Sequence, residues 1–263
     1  MTTASIRIFD TPEQLGLAAA SDIADRIATA TGQRFLLGCP GGRSPKPVYA
    51  ALARLVAERG LDLSRLIIVM MDDYVVETND GFAHVDAGAH YSCRRFAWAD
   101  IQAVLNRGLD AARRIPVENV WFPDPTAPQD YDGRIAAAGG VDYFLLASGA
   151  GDGHIAFNPP GSDADSLTRV VKLAEQTRRD NLQTFPDFAS IDAVPRHGVT
   201  VGIETIRAQS RAVGMVVWGE GKREAYRRLS TAATYDPDWP ATIYSICANA
   251  TLYADRAAVG HRE

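Results

Sequence analysis

The sequence predicts an α/β fold: an open, largely parallel, doubly wound (Rossmann-like) sheet with helices on both faces. Three observations carry that expectation. Apolar blocks of strand length alternate with stretches of helical period along the whole chain. The blocks are runs of apolar residues, as in strands covered on both sides. Several end in glycine-rich or acidic loops just before a helix begins. The 263 residues, 46% of them hydrophobic, are enough to bury such a core, and with no repeat or linker in view a single domain over 1–263 is expected.

Taken in order, Ile6 to Phe9 reads as an edge strand. Thr11-Pro12-Glu13 starts a helix, with threonine as cap and proline in the first turn. Leu15, Leu17, Ala18, Ile23 and Ile27 continue it at helical spacing to a stop near Gly32. Phe35 to Gly38 is a buried strand that runs into Cys39-Pro40-Gly41-Gly42-Arg43-Ser44-Pro45 and a helix carrying Val48, Leu52 and Val56. Leu66 to Met71 is a strand ending in Asp72-Asp73-Tyr74; Glu77 to Ala89 reads as a loop, and Tyr91 to Phe96 as a helix. Val120 to Phe122 and Asp142 to Leu146 are further strands, the second leading into Ser148 to His154. A loop-rich stretch follows, then strands at Val199 to Ile203 and Ala212 to Trp218, the last meeting Gly219-Glu220-Gly221-Lys222 and a helix.

Composition excludes several classes of function. The formal net charge is −5, with no lysine or arginine block, so no nucleic-acid footprint is expected. The longest purely apolar run, Leu66 to Met71, is far short of the ~20 residues that cross a bilayer. The opening segment MTTASIRIFD has no signal-peptide core and no acylation motif, and Cys39, Cys93 and Cys247 lie far apart. A cytoplasmic protein acting on a small molecule is expected, with a homo-oligomer allowed for. No histidine or cysteine recurs at metal-ligand spacing, so no metal is expected.

In an open α/β sheet, ligands bind at the carboxyl ends of the strands, and four strand ends here carry suitable residues. Gly41, Gly42, Arg43 and Ser44 can cradle a phosphate, since glycines let backbone N–H groups approach an anion at a helix start; the alternative is a tight turn. Asp72 and Asp73 leave a buried strand and point to opposite sides, so at most one faces a site; the alternative is a strand-end cap. His154 follows a glycine-rich strand end and can titrate near neutrality, with Asp152 placed to orient it or to meet the ligand; an ordinary hydrogen-bonded histidine is the alternative. Lys222 can reach an anion from a helix start, and Arg178 or Arg179 could add a cation, although such a pair usually marks a solvated helix face. Carboxylate, imidazole and anion anchor at one sheet edge suit proton transfer on a sugar phosphate.

The motifs MDDYV from Met71, GDGHIAFN from Gly151 and the PGGRSP loop resemble the glucosamine-6-phosphate deaminase/6-phosphogluconolactonase family, in order and over nearly the whole chain. HIAFN and MDDYV lie nearer its deaminase branch, which typically shows MDEYV and DGHIAFNEP; the lactonase branch more often has DER and DGHTASLFP. The resemblance implies that Asp72 moves a proton between C2 and C1 of an amino-sugar phosphate and that His154 opens the sugar ring beside Asp152. Gly41 to Ser44 and Lys222 would hold the phosphate, and no cofactor or metal would be needed. The product would be a ketose phosphate plus ammonia.

The chain departs from that pattern at named positions. Pro159 stands where the deaminases have the glutamate that assists the histidine, and Arg43 where their loop has glycine. Gln183 aligns with the family's phosphate arginine, which leaves Arg178 as the substitute. Val171 falls where many bacterial deaminases carry an allosteric lysine, so activation by an N-acetyl sugar phosphate is not expected. Two other readings stay open at this point: a lactonase using His154 to activate water, and a sugar-phosphate sensor without chemistry.

Overall fold

The computed structural model describes residues 4–260. The first of its strands, β1 (Ser5–Phe9), lies at the edge of the sheet and leads to helix α1 (Pro12–Thr29). Thr11 caps that helix by accepting from the Gln14 N–H at 3.3 Å. Then come β2 (Phe35–Cys39), α2 (Lys46–Arg59), β3 (Leu66–Met70), β4 (Asp72–Thr78) and β5 (Gly81–His84). A helix begins as α3 (Cys93–Phe96), passes through a π-helical stretch at Ala97–Gln102 and ends as α4 (Ala103–Leu105). The chain continues through β6 (Val120–Trp121), α5 (Asp130–Ala137), β7 (Tyr143–Ala147), β8 (Arg169–Lys172), α6 (Glu175–Thr184) and β9 (His197–Thr200). It closes with α7 (Ile203–Gln209), β10 (Val213–Val217), α8 (Arg223–Ser230), β11 (Ala250–Asp255) and α9 (Arg256–Val259).

Seven strands form one sheet in the order β1-β11-β10-β7-β2-β3-β6, every pair parallel. Because side chains alternate across a strand, each central strand feeds two cores. Leu37, Ile68 and Met70 bury against Leu15 and Ile23 of α1 and Leu52 of α2. Leu36, Ile67 and Val69 belong to the opposite core, with Ile135 of α5, Ile206 of α7 and Leu229 of α8. Each such side chain contributes roughly 1.5–3 kcal/mol on burial. This is the doubly wound α/β architecture that the apolar runs predict. No helix among the described residues is long and apolar enough to cross a membrane.

One glycine in this sheet is set by contact. A Cβ on Gly38 would lie 2.0 Å from the Phe144 ring across the β2–β7 pair. Gly38→Ala is expected to destabilise the fold by about 1–3 kcal/mol through overpacking, read as a lower denaturation midpoint at unchanged slope.

A second, antiparallel sheet, β5-β4-β9-β8, corrects the sequence reading in two places. The stretch read as a loop from Glu77 to Ala89 contains a hairpin, turning at Asn79-Asp80 between β4 and β5. The stretch read as a strand from Val199 to Ile203 is the end of β9 followed by the start of α7, and β9 pairs with β4 and β8, outside the seven-stranded sheet. The strand β11, unread in the sequence, sits between β1 and β10. The small sheet matters because β4 leaves β3 after a single residue, Met71, and carries Asp72 and Asp73 at its start.

Candidate active site

The ends of β2, β3, β7 and β10 open on one cavity of about 180 Å³. Gly41, Gly42, Arg43, Ser44, Asp72, His154 and Lys222 all line it, so the geometry brings together the main candidates from four separate stretches of sequence. The backbone N–H groups of Gly41 to Ser44 donate to no acceptor among the described residues. The loop is steadied instead from behind, where Trp218 Nε1 donates to the Ser44 carbonyl at 2.8 Å. Four free donors beside the first turn of α2 are an arrangement able to accept an anion.

The two adjacent aspartates have opposite fates, as alternation along β4 requires. Asp73 is fully buried and saturated. It accepts from the N–H groups of Tyr74 and Cys93, both at 2.9 Å, lies 3.0 Å from His84 Nδ1 and forms an ion pair with Arg94. It acts as a rivet between β4, β5 and α3. Asp72 is 6% exposed and faces the cavity. Burial pushes its carboxyl up to about 7, and the Asp73 charge adds to that; a hydrogen bond from Cys93 and the proximity of His154 pull the other way. A carboxyl that titrates near neutrality can both take and return a proton.

His154 is held by Asp152, whose Oδ1 lies 2.7 Å from Nδ1 and also accepts from the His154 N–H at 3.2 Å. Asp152 does not line the cavity; it stands behind the ring, steadied by the Thr177 hydroxyl at 3.1 Å. Its carboxyl is held down at about 2: burial pushes it up but is outweighed by the hydrogen bonds and charge of His154 and by Thr177. Nδ1 is thereby occupied, and Nε2 is the ring nitrogen without a protein partner among the described residues. Gly149 makes room for the pair, since a Cβ there would come within 2.3 Å of both Asp152 Oδ1 and His154 Nδ1. Lys222 donates to the Ser148 carbonyl and is pushed down to about 8 by burial, with Arg43 acting in the same direction and Asp180 and Asp152 against it.

Arg178 is the sequence candidate that the structure does not bring here. Its guanidinium donates to the carbonyls of Ile191 and Val194, at 2.5 and 3.1 Å, and ties α6 to the segment after it. Helical period explains the miss: Asp180, Asn181, Gln183 and Thr184 are the α6 positions that line the cavity, with Thr177 buried beside Asp152, while 178 and 179 do not line it. The cation that meets Gln183 is instead Arg43, whose Nη2 lies 3.5 Å from Gln183 Oε1. Tyr74, Phe157 and Phe185 form an aromatic wall, ring centroids 4.8 and 6.4 Å from that of Tyr74. Asp152, His154 and Asp180 place side-chain atoms within 4.8 Å of one another, close enough to share a divalent cation. Asp152 already spends its oxygens on His154 and Thr177, an arrangement that equally serves an oriented imidazole.

These features define a class: a parallel α/β protein whose carboxyl edge joins an anion cradle to a carboxylate and an imidazole. The chain belongs to the family described as glucosamine-6-phosphate isomerases/6-phosphogluconolactonase, whose model matches residues 10–253. It is 36% identical over 248 residues to a glucosamine-6-phosphate deaminase of Streptomyces avermitilis, covering 90% of this chain and 85% of that one. A deaminase of the same name from Shouchella clausii is 31% identical over 255 residues, 94% and 92% of the two chains. The solved structure of a monomeric glucosamine-6-phosphate deaminase superposes with a TM-score of 0.81 at 28% identity, over 98% of this chain and 100% of that one. A 6-phosphogluconolactonase from Trypanosoma brucei shares the fold, with a TM-score of 0.65 at 21% identity over 98% of each chain.

Proposed function

We propose that the protein deaminates a hexosamine phosphate, glucosamine 6-phosphate in the first instance, to a ketose phosphate and ammonia. The observation that carries this reading is Asp72: a buried carboxyl, pushed up to about 7, lining the same cavity as His154 and the Gly41 to Ser44 cradle. The phosphate sits on the cradle N–H groups with Lys222 and Arg43 as cations. His154 Nε2 delivers a proton to the ring oxygen as the pyranose opens. Asp72 then takes the C2 proton, made acidic by the aldehyde, and returns it to C1. The resulting C2 imine adds water and releases ammonia, so substrate and one water balance the ketose phosphate and ammonia. The deaminase names of the relatives support the same reaction. Ammonia and ketose phosphate appearing in equal amounts test it, and neither product at high enzyme concentration would overturn it.

The departures from the deaminase pattern sharpen the proposal. Pro159 does not line the cavity, while Asp180 of α6 brings a different carboxylate close to His154 and Asp152. Arg43 lies against Gln183, so the loop supplies the cation where the family's arginine would come from the helix. Arg43→Ala and Lys222→Ala are each expected to raise KM by about ten- to a hundredfold, the value of one charge-assisted contact, with a smaller change in kcat. Affinity should also fall as pH rises through about 8, where Lys222 loses its charge. A KM indifferent to both substitutions would remove the phosphate from this end of the cavity.

A further inference from the structure

Cys93, the first residue of α3, contacts both Asp72 and Asp73. Its backbone N–H donates to Asp73 Oδ1 at 2.9 Å, and its thiol donates to Asp72 Oδ1 at 3.4 Å. That thiol is the sole protein donor to the Asp72 carboxylate among the described residues. Cys93 is itself 6% exposed and lines the cavity. Its placement is fixed on both sides, by the Ser92 cap, which accepts from the Arg95 N–H, and by the Asp73 contact. Burial pushes the thiol far above its ordinary range, so it remains a protonated donor throughout the working pH range.

We propose that Cys93 is the positioning residue for Asp72, its thiol pinning Oδ1 and leaving Oδ2 as the oxygen that meets the substrate. The proposal rests on the reading of Asp72 as the base. A thiol is a weak donor, which is what such a base requires. A hydrogen bond to the ionised form favours ionisation, so a strong donor would cost basicity, while no donor would let burial and Asp73 keep the carboxyl protonated. The other groups facing Asp72 are few. Asp73 on its own strand pushes its carboxyl up, and His154 from the loop after β7 pulls it down. Tyr74 on β4, Tyr49 on α2 and Tyr131 on α5 are pushed well up by burial and stay neutral.

The test is a signed series. Cys93→Ala removes the donor, and the acid limb of the kcat/KM profile is expected to move about half to one pH unit upward. Cys93→Ser puts a stronger donor in nearly the same volume, and the limb is expected to move downward. The Asp72 carboxyl carbon, assigned by its loss in Asp72→Asn, is titrated by 13C NMR in all three proteins; the same rank order, Ala above Cys above Ser, is expected. Identical apparent pKa values across the series, or a shift in thermal midpoint alone, would overturn the proposal. If the wild type fails to turn over glucosamine 6-phosphate, the deaminase reading falls and the NMR order alone decides the role of Cys93.

Discussion

Asp72→Asn is expected to lower deamination by about 10²- to 10⁴-fold, the usual share of a general base, while making the protein more stable above pH 7. The two effects have one origin. In the unfolded chain the carboxyl titrates near its usual 3.8, whereas burial raises it to about 7 in the folded state. A folded-state pKa above the unfolded one means that the folded protein holds the proton more tightly. The cost of burying the charge is therefore fully present above about pH 7, shrinks as the pH falls through the window between 7 and 4, and vanishes below it. Three pH units at about 1.4 kcal/mol each put that cost at about 4 kcal/mol. The amide carries no charge and escapes it. Denaturant unfolding of both proteins between pH 4 and pH 8.5 measures this directly: the stability gap should open as pH rises. A gap of the opposite sign, or wild-type turnover in Asp72→Asn, would show that Asp72 is an ordinary hydrogen-bonded aspartate.

His154→Ala is expected to cost a similar factor in kcat with little change in substrate affinity. With Nδ1 committed to Asp152, the ring has one nitrogen to offer, and the proposed task for it is protonation of the ring oxygen as the pyranose opens. The cradle and Lys222 do not depend on that ring, so phosphate binding should persist. Added imidazole should restore part of the rate if proton delivery is what was lost. Asp152→Asn should resemble a milder form of the same defect, because an amide that can donate as well as accept replaces the acceptor-only carboxylate that fixes the tautomer at Nδ1. A large rise in KM for His154→Ala, with kcat preserved, would instead make the histidine a binding group.

Much of this was legible in the sequence because the site sits on strand ends, and buried parallel strands announce themselves as apolar runs. Phe35 to Gly38 locates the cradle, Leu66 to Met71 locates Asp72, and Asp142 to Leu146 leads to His154. Glycines at 149 and 153 mark where side chains approach closely, and Gly42 adopts a positive φ in the cradle loop. What escaped reading lacks that hydrophobic signature. The β4–β5 hairpin has half-exposed strands, and its Asn79-Asp80-Gly81 turn was the one cue it offered. Helix α6 buries little besides Thr177, so the charged pair Arg178-Arg179 drew attention while the neighbouring face of Thr177 and Asp180 met the site. Cys93 lies 21 residues from Asp72 on a different element, and no spacing rule joins a thiol to a carboxylate across that gap.

The central claim is that one cavity grips a phosphate at its loop end and moves a carbon-bound proton at Asp72. Conversion of glucosamine 6-phosphate in D2O, followed by NMR, tests it most directly. The wild type should yield ammonia and a ketose phosphate whose C1 carries the hydrogen taken from C2, replaced by solvent deuterium to the extent that the Asp72 carboxyl exchanges. Asp72→Asn should form both products about 10²- to 10⁴-fold more slowly while still binding the sugar phosphate. Ammonia release by Asp72→Asn at the wild-type rate, or no product from the wild type, would contradict it.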